Sequence, residues 1–144
     1  MSEVSYTENW YQDYVGGSVE GELDALREVP WVDVAGNRRE CFMALNLSHT
    51  YSYGRGVGRR TYHPTGMSPS VLRILQSLNT GLGTEYNICV LNHYETEHQG
   101  LGWHADDSPE QDPDHPIGVV SFGSTREIWV KKAGDRGHVP PEDR

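Results

Sequence analysis

His104 and Asp106 stand two positions apart in the stretch Leu101-Gly102-Trp103-His104-Ala105-Asp106-Asp107. On a strand, an imidazole and a carboxylate with that spacing project to one face and can reach the same metal ion. They supply two of the three ligands of a 2-His-1-carboxylate facial triad, which holds Fe(II) on one side and leaves the other side open for O₂ and a co-substrate. The chemistry implied is oxygenation. Taken alone, His-x-Asp is a common pairing. It also fits a surface histidine beside an acidic loop, since Asp107, Glu110, Asp112 and Asp114 follow closely. The third ligand has to come from elsewhere in the chain.

The elements that must position this pair follow from the hydrophobic period. Residues 1–19 are polar and irregular and are expected to form a loose arm, with the domain proper over 20–144. Glu20 to Glu28 reads as a short helix with a stripe of Leu23 and Leu26, stopped by Pro30. Cys41 to Leu47 is apolar enough for a strand. Residues 48–67, rich in Gly, Tyr, Ser and Arg, form a long loop or a short hairpin excursion. Ser68-Pro69 reads as an N-cap followed by proline at the first helical position, and Val71, Leu72, Leu75 and Leu78 continue the helix to a stop at Gly81. From Tyr86 the period becomes two: Tyr86, Ile88 and Val90 alternate with Asn87, Cys89 and Leu91, a strand covered on both faces. Ile117–Phe122 and Arg126–Lys132 read as two further strands around a Gly123-Ser124-Thr125 turn. A helix and several short strands make an α+β domain, an antiparallel barrel or jelly roll with a helix packed outside it.

Composition narrows the class. Four Trp and eight Tyr against two Phe give rings with polar tips, suited to half-buried walls. With only Cys41 and Cys89 there is no disulfide framework, so a reducing, cytoplasmic compartment is expected. The N-terminal residues show no secretory signal, and no window has the apolar length of a membrane span. The net charge of −9 is unevenly spread: residues 41–84 hold no acid and carry Arg55, Arg59, Arg60 and Arg73. That island is either a phosphate-facing surface or a solvated Gly/Arg-rich loop.

Asn92 and Tyr94 place an amide and a phenol two apart, again on one face, and both can donate hydrogen bonds to a bound carboxylate. A turn-forming Asn and a rim Tyr are the simpler alternative. In order, Asn92-x-Tyr94, Gly102-Trp103-His104-x-Asp106-Asp107 and Pro116-Ile117-x-x-Val120-Ser121-Phe122-Gly123-x-x-Arg126 closely resemble the AlkB family. Members of that family are Fe(II)- and 2-oxoglutarate-dependent dioxygenases that dealkylate nucleic-acid bases. The resemblance is dense over residues 85–132 and looser upstream through Tyr53-Gly54, Tyr62, Pro69 and Gly83.

The resemblance implies a double-stranded β-helix, the jelly roll. It implies His104 and Asp106 as iron ligands, Asn92 and Tyr94 as contacts of 2-oxoglutarate, and Tyr62 and Asp107 as residues facing the nucleic-acid substrate, DNA or RNA. Tyr62 and the acid-free stretch around it would belong to a lid over the nucleotide. Ser121-Phe122-Gly123 and Arg126 would support the site from an inner strand. No separate catalytic side chain is assigned.

Two departures stand out. Repair members commonly carry an acid two residues past the ligand aspartate, where this chain has Ser108. The family also takes a distal histidine ligand, and an arginine for the far carboxylate of 2-oxoglutarate, from later strands. After Asp106 the chain has room for the two strands already read and a Pro/Gly-rich tail, at roughly five to six residues per strand. His115, His138, Arg136 and Arg144 lack an apolar strand context, and His49, His63, His93 and His98 read as lid or loop residues. The domain is therefore expected to be incomplete at its C-terminus. Either it works with a complementing C-terminal chain, or it is a non-catalytic remnant or split-gene fragment that acts as a binding module.

Overall fold

The computed structural model describes residues 4–53, 60–101, 116–126 and 128. Two helices lie on one face of a small sheet. Helix α1, Val19–Arg27, begins where Ser18 accepts a hydrogen bond from the Gly21 amide at 3.1 Å. Helix α2, Pro69–Leu82, is capped by Ser68, whose hydroxyl accepts from the Val71 amide at 3.3 Å. It runs through Gly81 and ends at Gly83, with φ of 66°, two residues beyond the glycine expected to stop it. Gly81 takes an ordinary helical conformation. Gly83 takes the left-handed one, which glycine adopts at least cost.

The sheet is built on β2, Arg38–Ala44, flanked on one side by β1, Val32–Val34, and by the two-residue β5, Thr65–Gly66. On its other side runs β6, Ile88–His93, antiparallel to β2 from Arg39 to Ala44, with Glu40 opposite Asn92 and Met43 opposite Cys89. Strand β5 is parallel to β2. A separate hairpin joins β3, Tyr51–Tyr53, to β4, Arg60–Tyr62, with Tyr51 opposite Tyr62. The stretch left open as loop or hairpin is thus a hairpin, its tip at residues 54–59 lying outside the described residues.

Alternation divides β2 into two faces. Cys41 and Met43 point to the helices and form the core with Val71 of α2, packed by Leu26, Val29, Trp31, Met67, Cys89 and Leu91. Met43 is 1% exposed. Arg38, Glu40, Phe42 and Ala44 share the opposite face, toward the hairpin, where Phe42 lies 5.9 Å from the ring of Tyr51 and 6.1 Å from that of Tyr62. Asn79 turns the chain from α2 into β6: its Oδ1 accepts from the Tyr86 amide at 2.7 Å and its Nδ2 donates to the Tyr86 carbonyl at 3.0 Å. The described residues are therefore α+β.

Several expectations change. The segment expected to be a loose arm is not loose along its length: Tyr11–Val15 forms a short π-type helical turn, and the Tyr11 ring is buried. Its hydroxyl accepts from Arg73 at 2.9 Å, and Phe122 meets its ring edge-on at 5.1 Å. A polar sequence concealed this because its one anchoring ring is spaced by residues that stay in water. Strand β2 starts at Arg38, three residues before the apolar run, since Arg38 and Glu40 are buried by pairing with each other at 2.9 Å.

Strand β6, expected to be covered on both faces, is half-buried, with Val90 and Asn92 exposed on the face away from the helices. Residues 117–122 form no strand, and Ile117 and Val119 are 54% and 70% exposed. Among the described residues no strand pairs with them. The second expected strand, Arg126–Lys132, lies outside the described residues apart from Arg126 and Ile128. No described helix is long and apolar enough to cross a membrane.

Candidate active site

The hairpin-side face of the sheet gathers the polar groups. Glu40 and Asn92 are directly opposed across β2 and β6, so their side chains leave the sheet on the same side. Tyr94 follows two residues later, just past the end of β6, half-buried. The Arg126 guanidinium sits over the Tyr94 ring, 4.9 Å from its centre, and donates to the Gln99 carbonyl at 2.7 Å. Burial pushes the Tyr94 hydroxyl above the ordinary tyrosine range. The positive charges of Arg38 and Arg126 pull it back down, and Glu40 adds to the rise.

Tyr62 reaches the same place from β4. Its hydroxyl donates to both carboxylate oxygens of Glu40, at 2.9 and 3.0 Å, while Arg38 Nη2 donates to Glu40 Oε2 at 2.9 Å. Arg38 Nε is buried and meets no hydrogen-bond partner among the described residues. The face thus presents an amide, a phenol and the Arg126 guanidinium beside a buried Arg38–Glu40 charge pair. That donor set suits a dicarboxylate, which takes only donors when ionised.

Gln99 and Gly100 are held from the turn between β1 and β2. Asn37, in the turn between β1 and β2, donates to the Gly100 carbonyl at 2.7 Å and accepts from the Gly100 amide at 3.3 Å; Gln99 Nε2 donates to the Gly36 carbonyl at 3.2 Å. His104, Asp106 and Asp107 themselves lie outside the described residues, as do Ser108, His115, Arg136, His138 and Arg144. Among the described residues no group of three or more His, Cys, Asp and Glu side chains is placed to hold a metal.

Asn92, Tyr94 and Tyr62 are thus brought to one face. Of the upstream histidines, His49, His63 and His98 are exposed outside helices and strands. His93, read as a lid or loop residue, instead ends β6, its ring 5.5 Å from Trp31 on the helix side. Arg38, Glu40, Asn37 and Gln99 were not singled out from the sequence. The one signal was the alternation of Arg38 and Glu40 with Arg39 and Cys41 leading into an apolar run, which reads equally well as a solvated strand end.

A family model described as the 2OG-Fe(II) oxygenase superfamily matches residues 27–141. The chain belongs to that superfamily, whose cofactors are Fe(II) and 2-oxoglutarate. It is similar to the DNA oxidative demethylase ALKBH2 of Arabidopsis thaliana, at 30% identity over 119 residues, 76% of this chain and 37% of that protein. The alpha-ketoglutarate-dependent dioxygenase alkB homolog 3 of Bos taurus is 29% identical over 126 residues, covering 81% of this chain and 40% of its own length. The DNA oxidative demethylase ALKBH2 of Homo sapiens is 31% identical over 80 residues, 56% of this chain and 31% of that protein. The chain therefore spans well under half the length of these relatives. No solved structure matches it.

Proposed function

We propose that the protein is an AlkB-like dioxygenase that oxidatively dealkylates, or hydroxylates, nucleic-acid bases. The observation that carries this reading is the convergence of Asn92, Tyr94 and Tyr62 on one sheet face with Arg38, Glu40 and Arg126. The family's cofactors and the DNA demethylases among its relatives support it. In this reading the sheet is one wall of a jelly roll, residues 20–144 form part of the domain, and a complementing C-terminal segment, in the same or another chain, supplies the distal histidine and the co-substrate arginine.

His104 and Asp106 hold the metal, and its imidazole and carboxylate donors are types that suit Fe(II). When bound, iron and 2-oxoglutarate would supply the oxidising chemistry that hydroxylates an alkyl carbon with O₂, with succinate and CO₂ as the co-products. The chain's own residues bind and orient. The Asn92 amide and Tyr94 hydroxyl donate to a carboxylate of 2-oxoglutarate. A tyrosine hydroxyl is a donor at neutral pH, and burial moves Tyr94 further from ionisation. Arg126, stacked on the Tyr94 ring, holds its plane and adds positive charge beside the anion. Tyr62 and Asp107 face the nucleotide, which has to leave the base stack to reach the site.

Replacing either proposed ligand tests the assignment. His104→Ala and Asp106→Ala are expected to weaken anaerobic Fe(II) binding by more than about 100-fold, exceeding the effect of losing a residue that merely supports a ligand. Unchanged Fe(II) affinity in either variant removes that residue from the metal site.

A further inference from the structure

The Arg38–Glu40 pair is a buried charge pair on the face that binds rather than on the face that packs. Glu40 is 5% exposed, yet it lies on the side of β2 away from the helices and the Cys41–Met43 core. A buried ion pair is a poor stability device, because desolvation offsets most of its attraction. The hairpin also needs no carboxylate for adhesion, since the Phe42, Tyr51 and Tyr62 rings already lie 5.9 to 6.4 Å apart.

What ring packing does not supply is orientation. Tyr62 donates its single hydroxyl proton to the Glu40 carboxylate at 2.9 and 3.0 Å, and the carboxylate is in turn held by Arg38 at 2.9 Å. Tyr62 and Glu40 themselves are 22 apart in sequence. Glu40 also stands opposite Asn92.

We propose that Glu40 is a positioning residue for nucleic-acid recognition: it fixes the tilt of Tyr62, and with it the β3–β4 hairpin, against the sheet that carries Asn92 and Tyr94. Arg38 acts as the clamp that holds the carboxylate in place. The proposal rests on the reading of Tyr62 as a nucleotide-facing residue. It deepens that reading, because it makes substrate binding depend on a side chain that need not touch the substrate. Loss of Glu40 then acts on the nucleic acid through Tyr62 and leaves the 2-oxoglutarate contacts on β6 in place.

The test compares two affinities in the full chain. One is for a single-stranded oligonucleotide carrying an N-methylated base, by fluorescence anisotropy. The other is for 2-oxoglutarate with Mn(II) in place of Fe(II), by tryptophan fluorescence. Glu40→Ala is expected to weaken the oligonucleotide at least tenfold and 2-oxoglutarate less than twofold. Glu40→Gln, whose amide oxygen still accepts from Tyr62, is expected to recover most of the loss. Adding Tyr62→Phe to Glu40→Ala is expected to cost nothing more.

Equal loss for both ligands, or a full additional loss from Tyr62→Phe in the Glu40→Ala background, overturns the proposal. If Glu40→Ala does not fold, Tyr62→Phe alone decides. It leaves Arg38 and Glu40 paired, and an oligonucleotide affinity unchanged from the parent contradicts the proposal. A parent protein that binds 2-oxoglutarate but no oligonucleotide instead defeats the underlying reading of Tyr62.

Discussion

Tyr94 shows how a single residue collects several effects at the site. Its ring is covered by the Arg126 guanidinium, and its hydroxyl feels Arg38, Arg126 and Glu40. A cation over an aromatic face contributes about 1 kcal/mol where partly desolvated. Arg126→Met keeps most of the contact area and removes the charge. We expect it to weaken 2-oxoglutarate binding about fivefold, measured by calorimetry, with little change in the thermal midpoint, because Arg126 is exposed. A 2-oxoglutarate affinity equal to the parent's removes Arg126 from the account.

At this scale the sequence was partly legible. Asn92 and Tyr94 were legible because a two-residue spacing at the end of an apolar strand predicts a common face; Asn92 sits on β6 and Tyr94 just past its end. Glu40 did not. An acid beside two arginines reads as solvated, and its burial depends on Tyr62, which only the fold brings near. The exposure of Asn92, with Val90 beside it, follows from the same arrangement: the hairpin covers Phe42 and leaves the end of β6 open.

Among the elements, α2 was the most legible, since Ser68-Pro69 combines a cap with a residue already fixed for the first turn. Its end was misplaced because two glycines compete, and sequence carries no sign of which takes the left-handed conformation. The strand expected over Ile117–Phe122 is not formed: an apolar run marks a candidate strand, and a strand also needs a backbone partner, which none of the described residues supplies. Strand β6 carries a testable consequence of its packing. Burial pushes the Cys89 thiol from its ordinary value of 9.0 up to about 11, the neighbouring Cys41 adding to the rise.

A group whose folded pKa is raised contributes stability that is intact below the unfolded value and lost as pH climbs through the folded one. Stability, and with it the melting temperature, is therefore expected to fall between pH 9 and 11, by up to about 3 kcal/mol. Cys89→Ala, which has no thiol to ionise, is expected to flatten that fall. An identical alkaline slope in Cys89→Ala and parent contradicts the burial of this thiol.

For the molecule as a whole, charge and fold point the same way. A chain of net charge −9 keeps residues 41–84 free of acid, and the β3–β4 hairpin that carries Tyr62 falls inside that stretch. Such a stretch in an acidic chain is what the proposed function requires of a surface that meets a polyanion. The superfamily and its cofactors are fixed by the match over residues 27–141. The reaction on a nucleic-acid base is the central claim, and one measurement reaches it directly: succinate formed from 2-oxoglutarate by the protein with Fe(II) and O₂, with and without a single-stranded oligonucleotide carrying an N-methylated base. We expect succinate that rises with the methylated oligonucleotide, is matched by formaldehyde released from it, and vanishes in Asp106→Ala. Succinate that is absent, or indifferent to both the oligonucleotide and Asp106, contradicts that claim.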